Sequence, residues 1–597
     1  MPHKTTTHFL NLWRYMRPFR KDYTLACVYS VLNKIFDVMP ELLLGMAVNT
    51  VVEKENSWLA SWGAFTINTQ LYVLGVCTFL VYSLESTFEY LYTVKWWRLA
   101  QDIQHHLRVE AFNHVQHSTL ESVHKQNTGS MMGALNDDIN QLERFLEEGV
   151  DSMIEILMSV LLIGGVFFYL SPSVAKFAMT PVPAILGLTY FFHKKLGPCY
   201  AAVREKAGSV GAQLANSLLG LTTVKSLVAE RIERQALTRV SQGYRQANYE
   251  AIKWGALISP IIRCVVVIGF LVTLVYGGVL TLEGSLNVGA YTTLVFSTQR
   301  LLWPFMDISE VIVDFQRAMG ASGRAMALFE LPLEHSPQEP VKLRGRITFE
   351  NVSFAYQHQT ASLRNLSFDI TPGQTAAFVG ATGAGKTTLL KLLMGFHMPT
   401  AGRILFDGQS IQNVSLSSLR KQIGFVGQEP FLFEGTVAEN INYAFPNATP
   451  AQTEQAAKQA AAHEFIMRLP AGYDTFLAER GQALSGGQRQ RITIARALVR
   501  HPAVLILDEA TSAVDNETEL AIQKSLAEVS QDKTTLIIAH RLSTIKHADR
   551  IFVLKAGEIV EQGTHEALLE QDYLYANLWR LQTGQQLTHA ELLEEEA

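Results

Sequence analysis

The chain has 597 residues, more than one domain holds, and a formal net charge of -5, which argues against nucleic-acid binding. Charged residues make up 18%, below the ~25% usual for soluble proteins, and long apolar runs crowd the first half. The four cysteines, Cys27, Cys77, Cys199 and Cys264, are spaced neither as metal ligands nor as a disulfide framework, so they read as small packing residues.

Residues 1–22 begin polar, then mix aromatics with Arg14, Arg17, Arg20 and Lys21. They lack a short apolar core followed by a cleavage site, and read as an amphipathic elbow on the cytoplasmic membrane face. Apolar runs near the ~20 residues that a spanning helix requires predict six spans within 23–330, at 23–51, 70–94, 148–170, 174–192, 255–280 and 286–307. The first carries Asn33, Lys34, Asp37 and Glu41, and Pro40 predicts a kink in it. Short links at 171–173 and 283–285 alternate with long, polar, helix-patterned connections at 95–147 and 193–254. The long ones carry Lys194, Lys195, Arg204, Lys206, Arg231 and Arg234, which places them and both termini in the cytoplasm. Breaks at 120–129 and 219–227 predict short transverse helices at their tips.

A proline-rich linker, 331–341, leads into a strand-rich domain at 342–582 and an acidic tail at 583–597. Tyr356 precedes the phosphate loop, where an aromatic can stack on adenine. Gly380-Ala-Thr-Gly-Ala-Gly-Lys-Thr387 fits G-x-x-x-x-G-K-[ST] without a mismatch. Between a buried strand and a helix, such a loop aims its N–H groups at an anion. The positions Gly380, Ala381, Thr382, Gly383, Ala384, Gly385, Lys386, Thr387 and Thr388 form this cradle, with Lys386 reaching the β- and γ-phosphates and Thr387 ligating Mg²⁺. Ile423-Gly-Phe-Val426 reads as a strand ending near Gln428. Leu484-Ser-Gly-Gly-Gln488 opens a helix and makes a second anion site, from Ser485, Gly486, Gly487 and Gln488, that one nucleotide does not need. Ala503 to Leu507 is an apolar run ending in Asp508 and Glu509: a buried strand delivering one acid to Mg²⁺ and the other to the attacking water. A further strand, 534–539, ends at His540, placed to contact the γ-phosphate.

In this order, the motifs resemble the nucleotide-binding domain of ATP-binding cassette (ABC) transporters, the Leu484–Gln488 signature being the most specific. The resemblance covers nearly the whole chain and implies a half-size exporter of the multidrug or lipid-flippase type: an all-α six-span membrane domain fused to an α/β P-loop ATPase. It assigns Tyr356 to the A-loop, Gln428 to the Mg²⁺-sensing Q-loop, Glu509 and His540 to catalysis, and Asp515 to the D-loop, where Val514 stands in place of the commoner Leu. Glu479-Arg-Gly481 looks like the extra exporter motif, while the first tip, 121–129, lacks the aromatics often seen there. Two cassettes are expected to close head to tail on two ATP molecules, in a homodimer or with a second half-transporter.

The resemblance implies ATP-driven export or flipping of an amphipathic small molecule or lipid; the absence of a long targeting segment points to a bacterial inner membrane. An importer of a chelator-like ligand on the same fold and an ATP-gated membrane regulator are the other readings. Charges within spans suggest a cargo cavity at Arg263, Lys34 and Asp37. Arg263 is expected to meet an anionic group of the cargo, or else to pair with Asp37 or Asp314.

Overall fold

A computed structural model of the protein describes residues 12–54, 57–62, 66–306, 308–334, 337, 339–356, 362–478, 481, 483–508, 522, 524–525, 527–530, 532–539 and 542–583. The chain divides into two compact units, Met1–Ser118 with Ser122–Pro332, and Thr119–Glu121 with Leu333–Ala597.

Helices dominate up to residue 330. In chain order they are α1 (Arg20–Glu53), α2 (Ile67–His117), α3 (Leu120–Lys125), α4 (Thr128–Leu170), α5 (Pro172–Ala178), α6 (Pro181–Leu219), α7 (Leu221–Ser226), α8 (Glu230–Leu282), α9 (Val288–Leu302) and α10 (Ile308–Ala327). The two breaks in the long connections fold as α3 and α7. Two π-helical turns, Ala134–Asp138 and Phe145–Gly149, interrupt α4.

By length and composition, five helical segments among the described residues can cross a membrane: Arg17–Glu53, Ile67–His117, Thr128–Leu170, Pro172–Leu219 and Glu230–Leu282. The segment expected as a sixth span is not one regular helix. It is α9, of 15 residues, followed by the 3-10 turn Trp303–Met306. Pro304 lies in that turn, where a residue without an N–H and with a bulky ring ends regular bonding. The fourth expected span is likewise divided, with Pro181 restarting the helix at its first turn. Pro40 lies inside the continuous α1.

Local signals set the helix starts. Ser171 Oγ accepts from Val174 N ahead of Pro172, and Asn287 Oδ1 accepts from Ala290 N at 2.6 Å. On α2, Trp96, Leu99, Ile103 and Leu107 recur at helical spacing and are buried with Leu142 and Phe145 of α4 and Met319 of α10. The buried Trp96 indole donates to Ser30 Oγ at 3.0 Å, and Ser30 donates on to Asp151 at 2.6 Å. Where α1 meets α9, a Cβ on Gly289 would lie 2.2 Å from the Gly45 carbonyl oxygen. Only glycine allows that approach, and Gly289 N donates to Asn49 Oδ1 at 2.6 Å.

The second unit has two main sheets. An antiparallel one runs β2-β1-β4-β5, from β1 (Ile347–Phe354), β2 (Leu363–Ile370), β4 (Ala401–Phe406) and β5 (Gln409–Ser410). The larger runs β12-β11-β3-β10-β9-β6 and is parallel except at its β12 edge. Its members are β3 (Thr375–Val379), β6 (Ile423–Val426), β9 (Val504–Asp508), β10 (Thr534–Ile538), β11 (Arg550–Lys555) and β12 (Glu558–Gly563). A short pair, β7 (Gly435–Thr436) and β8 (Phe476–Leu477), stands apart. Three helices matter below: α11 (Lys386–Leu393), α12 (Gly486–Leu498) and α13 (Leu574–Thr583). Alternate residues of β9 serve two cores: Val504 and Ile506 pack with Leu389 and Leu393 of α11, Leu505 and Leu507 with Ile492 and Ala495 of α12.

Candidate functional site

The phosphate loop springs from β3, which is buried between β10 and β11. Gly380 (φ 153°) and Gly385 (φ 104°) stand in backbone regions that disfavour a side chain. A Cβ on Gly380 would lie 2.2 Å from the Leu554 carbonyl oxygen, and one on Gly385 would lie 2.8 Å from that of Ser362. These two glycines curl the chain into the start of α11. Lys386, 6% exposed, turns back over the loop and donates to the carbonyls of Gly380 at 2.6 Å and Ala381 at 3.0 Å. Its ammonium is thus parked beside the place where a phosphate would accept it. Ala381, Thr382, Gly383 and Thr387 are exposed around it, while Ala384 and Thr388 are buried.

Tyr356 is half-buried, edge-on to Phe354 and His397, with Lys391 Nζ 5.6 Å from its ring centroid. Its hydroxyl lies 3.4 Å from Thr388 Oγ1. This ties the tyrosine to the loop's own helix.

Ile538 of β10 pairs with Phe378 of β3 on one side and Asp508 of β9 on the other. Asp508 therefore stands level with the strand end from which the phosphate loop starts, two strands away, at roughly 10 Å. Both lie at the carboxyl edge of a parallel sheet, where ligands bind in this architecture. Gln428 is exposed just past β6, the neighbour of β9. Mg²⁺ and nucleotide phosphates fit this donor set: a glycine cradle, an ammonium, an exposed Thr387 hydroxyl and a carboxylate. Glu509, Asp515 and His540 lie outside the described residues, as do Glu479 and Arg480.

The signature segment forms the start of α12. Ser485 Oγ accepts from Gln488 N at 3.2 Å, and Gln488 Oε1 accepts from Ser485 N at 2.9 Å. This reciprocal capping box uses the Gln488 side chain locally, while Ser485 is exposed at the helix's positive end. The helix packs in the cluster of Leu432, Ile466 and Leu484; the phosphate loop's helix packs in another, with Phe349 and Leu363. One cassette thus carries two such helix starts, on separately packed helices.

The membrane charges are arranged differently from the expectation. Lys34 and Asp37 are 6% and 9% exposed and 2.8 Å apart. Lys34 also reaches Glu155 at 3.0 Å, and Asp37 accepts from Arg300. Both charges are buried inside the helical packing and paired with charged neighbours. Arg300 had no place in the sequence reading, because its partners are more than 200 residues away and no local pattern joins them. Arg263 is exposed on α8, and no ion pair or hydrogen bond joins it to another described residue. Asp314, its other expected partner, lies 3.5 Å from Arg317.

A phosphate loop and a Walker-type carboxylate on a parallel sheet, fused to helices long enough to span a bilayer, define an ATP-driven membrane transporter. Residues 23–305 match the ABC transporter transmembrane region and residues 363–512 match the ABC transporter ATPase domain. The chain is 33% identical to the uncharacterized ABC transporter ATP-binding protein YknU of Bacillus subtilis (strain 168), covering 96% of this chain and 97% of that one. It is 33% identical to an ATP-dependent lipid A-core flippase of Syntrophus aciditrophicus (strain SB), over 96% and 94% of the two chains. A solved bacterial Atm1-family ABC exporter with ATP bound superposes with a TM-score of 0.79 at 30% identity, covering 95% of this chain and 99% of that one. The chain belongs to the ABC transporter family, as a half-size exporter-type member whose ATPase is coupled to transport.

Proposed function

We propose that two copies of this chain export or flip an amphipathic small molecule or lipid by alternating access. The observation that carries the dimer is the pair of anion-binding ends in one cassette, packed into separate cores. A head-to-tail partner gives the second end its purpose: Ser485, Gly486 and Gly487 of one copy cap the γ-phosphate held by Gly380–Thr388 of the other. Tyr356 stacks on the adenine. Lys386 leaves its two loop carbonyls for the phosphates as they arrive. Thr387, Gln428 and Asp508 hold Mg²⁺, which screens the β- and γ-phosphate charge. Glu509 polarises the attacking water, and His540 contacts the γ-phosphate.

Relatives described as lipid A-core flippases support a lipid-like cargo, and the unpaired Arg263 suits an anionic group on it. The cations of the long connections favour a cytoplasmic ATPase, and the bacterial relatives suit a bacterial cell membrane.

Complementation tests the dimer. Lys386→Ala spoils the phosphate loop, Ser485→Arg spoils the cap, and each variant alone loses ATPase. Co-expressed, they form mixed dimers in which one site joins an intact loop to an intact cap, and activity returns in part. Mixed dimers isolated with two affinity tags and still inactive would contradict the shared site.

A further inference from the structure

Within the first unit, four helices bring charge to one place. Arg300 of α9 donates through Nη1 to Glu41 of α1 at 2.6 Å, and through Nη2 to Asp37. Glu85 of α2 has Oε1 3.8 Å from the same Nη2. Lys34 of α1 lies between Asp37 and Glu155 of α4. Asp151 of α4, one turn earlier, accepts from Ser30. Tyr82 and Glu89 of α2 stand within electrostatic reach of Glu85. Four carboxylates, Asp37, Glu41, Glu85 and Glu155, therefore share two cations, Lys34 and Arg300, with Asp151 and Glu89 nearby. Two of their oxygens are open: Glu41 Oε2 and Glu85 Oε2 touch neither solvent nor a hydrogen-bond donor.

An ionised carboxylate cannot leave an oxygen without water or donor in a medium of low dielectric; the group takes up a charge-cancelling partner instead. A metal ion or an ammonium group needs room beside those oxygens, and both are sealed from solvent. A proton needs none. Glu41 has the short charge-assisted contact with Arg300. Glu85, at 3.8 Å, is beyond hydrogen-bond distance and has the weaker hold on the cation.

We propose that Glu85 binds a proton, making the Glu41–Glu85–Arg300 cluster a proton-binding site inside the membrane unit. The proton leaves a hydronium ion of the solvent, breaking one O–H bond there and releasing water, and forms one O–H bond on Glu85; no other bond changes. As a neutral acid, Glu85 becomes a donor and can satisfy an open carboxylate oxygen beside it. The inference uses neither the nucleotide site nor the cargo. It survives if the dimer reading fails.

Infrared spectroscopy of the full chain in lipid tests it. At neutral pH the wild type shows the carbonyl stretch of a protonated carboxylic acid, lost in Glu85→Gln and kept in Glu89→Gln. No acid band in the wild type, or an unaltered band in Glu85→Gln, overturns the proposal. Should that variant fail to assemble, Glu85→Asp keeps a carboxyl and moves the band; a band that stays put overturns the assignment to Glu85. Thermal unfolding gives an independent reading. Gln copies a neutral acid, so the Glu85→Gln midpoint stays level or rises at neutral pH. A fall of several degrees would mean an ionised Glu85 that Arg300 requires, and the proposal would be wrong.

Discussion

Lys386 shows how much one side chain of the nucleotide site depends on its surroundings. It is buried, and its ammonium donates to two carbonyls of the loop it serves. A phosphate offers the same ammonium a full negative charge, so binding exchanges two neutral acceptors for a charged one. Lys386→Ala should therefore lower ATPase by about 100-fold or more, the scale of losing one preorganised electrostatic contact to a reacting phosphate. Steady-state ATPase of the purified variant checks this, and a loss under tenfold would count against the role. At this scale the sequence was legible where the chemistry is local: glycines, lysine and threonine sit within eight positions of one another. Arg300 was not legible. Its three acidic neighbours, Asp37, Glu41 and Glu85, are on other helices far along the chain, and only packing joins them. Lys34 and Asp37 were visible as charges in a span, but their burial against each other was not.

Elements show the same division. Starts and stops follow short-range rules: Asn287 and Ser171 cap helices, Pro304 ends α9, and Ser485-x-x-Gln488 has the spacing of a capping box. The order β12-β11-β3-β10-β9-β6 follows no local rule, since neighbouring strands come from distant segments. Burial also sets a pH response at the edge of that sheet. His565 is 5% exposed, its Nδ1 is 2.8 Å from the Tyr575 hydroxyl of α13, and Trp579 lies 4.5 Å from its ring. Desolvation holds its pKa below the usual 6.5. The folded state thus prefers neutral His565, and the unfolded chain takes the proton first as pH falls. Stability contributed by this group is complete above ~6.5 and declines below it, levelling off under the lowered folded pKa. His565→Gln cannot titrate, so the gap between wild-type and variant melting temperatures should narrow or invert on going from neutral to mildly acidic pH. A gap that stays constant with pH would show that His565 is not the group responsible.

The whole molecule joins a membrane unit to an ATPase unit in one chain, and the proposed shared nucleotide site needs two chains. The class of molecule was readable from motif order and apolar runs alone, because both are dictated by covalent sequence. The cargo was not, because contacts to a cargo are spread over several helices and leave no linear pattern. Arg263, exposed on α8 without a described partner, is the residue through which cargo charge should be felt. Arg263→Ala should keep basal ATPase while losing most of its stimulation by anionic lipids; equal stimulation in a well-folded variant would remove it from the cargo path.

The most direct measurement is ATPase of the chain alone in lipid vesicles, beside Glu509→Gln, across lipids and amphipathic compounds. The account predicts activity in the wild type that is absent from the variant and raised by one class of amphiphile. A folded, membrane-inserted sample with no activity under any lipid would contradict a self-sufficient homodimeric transporter.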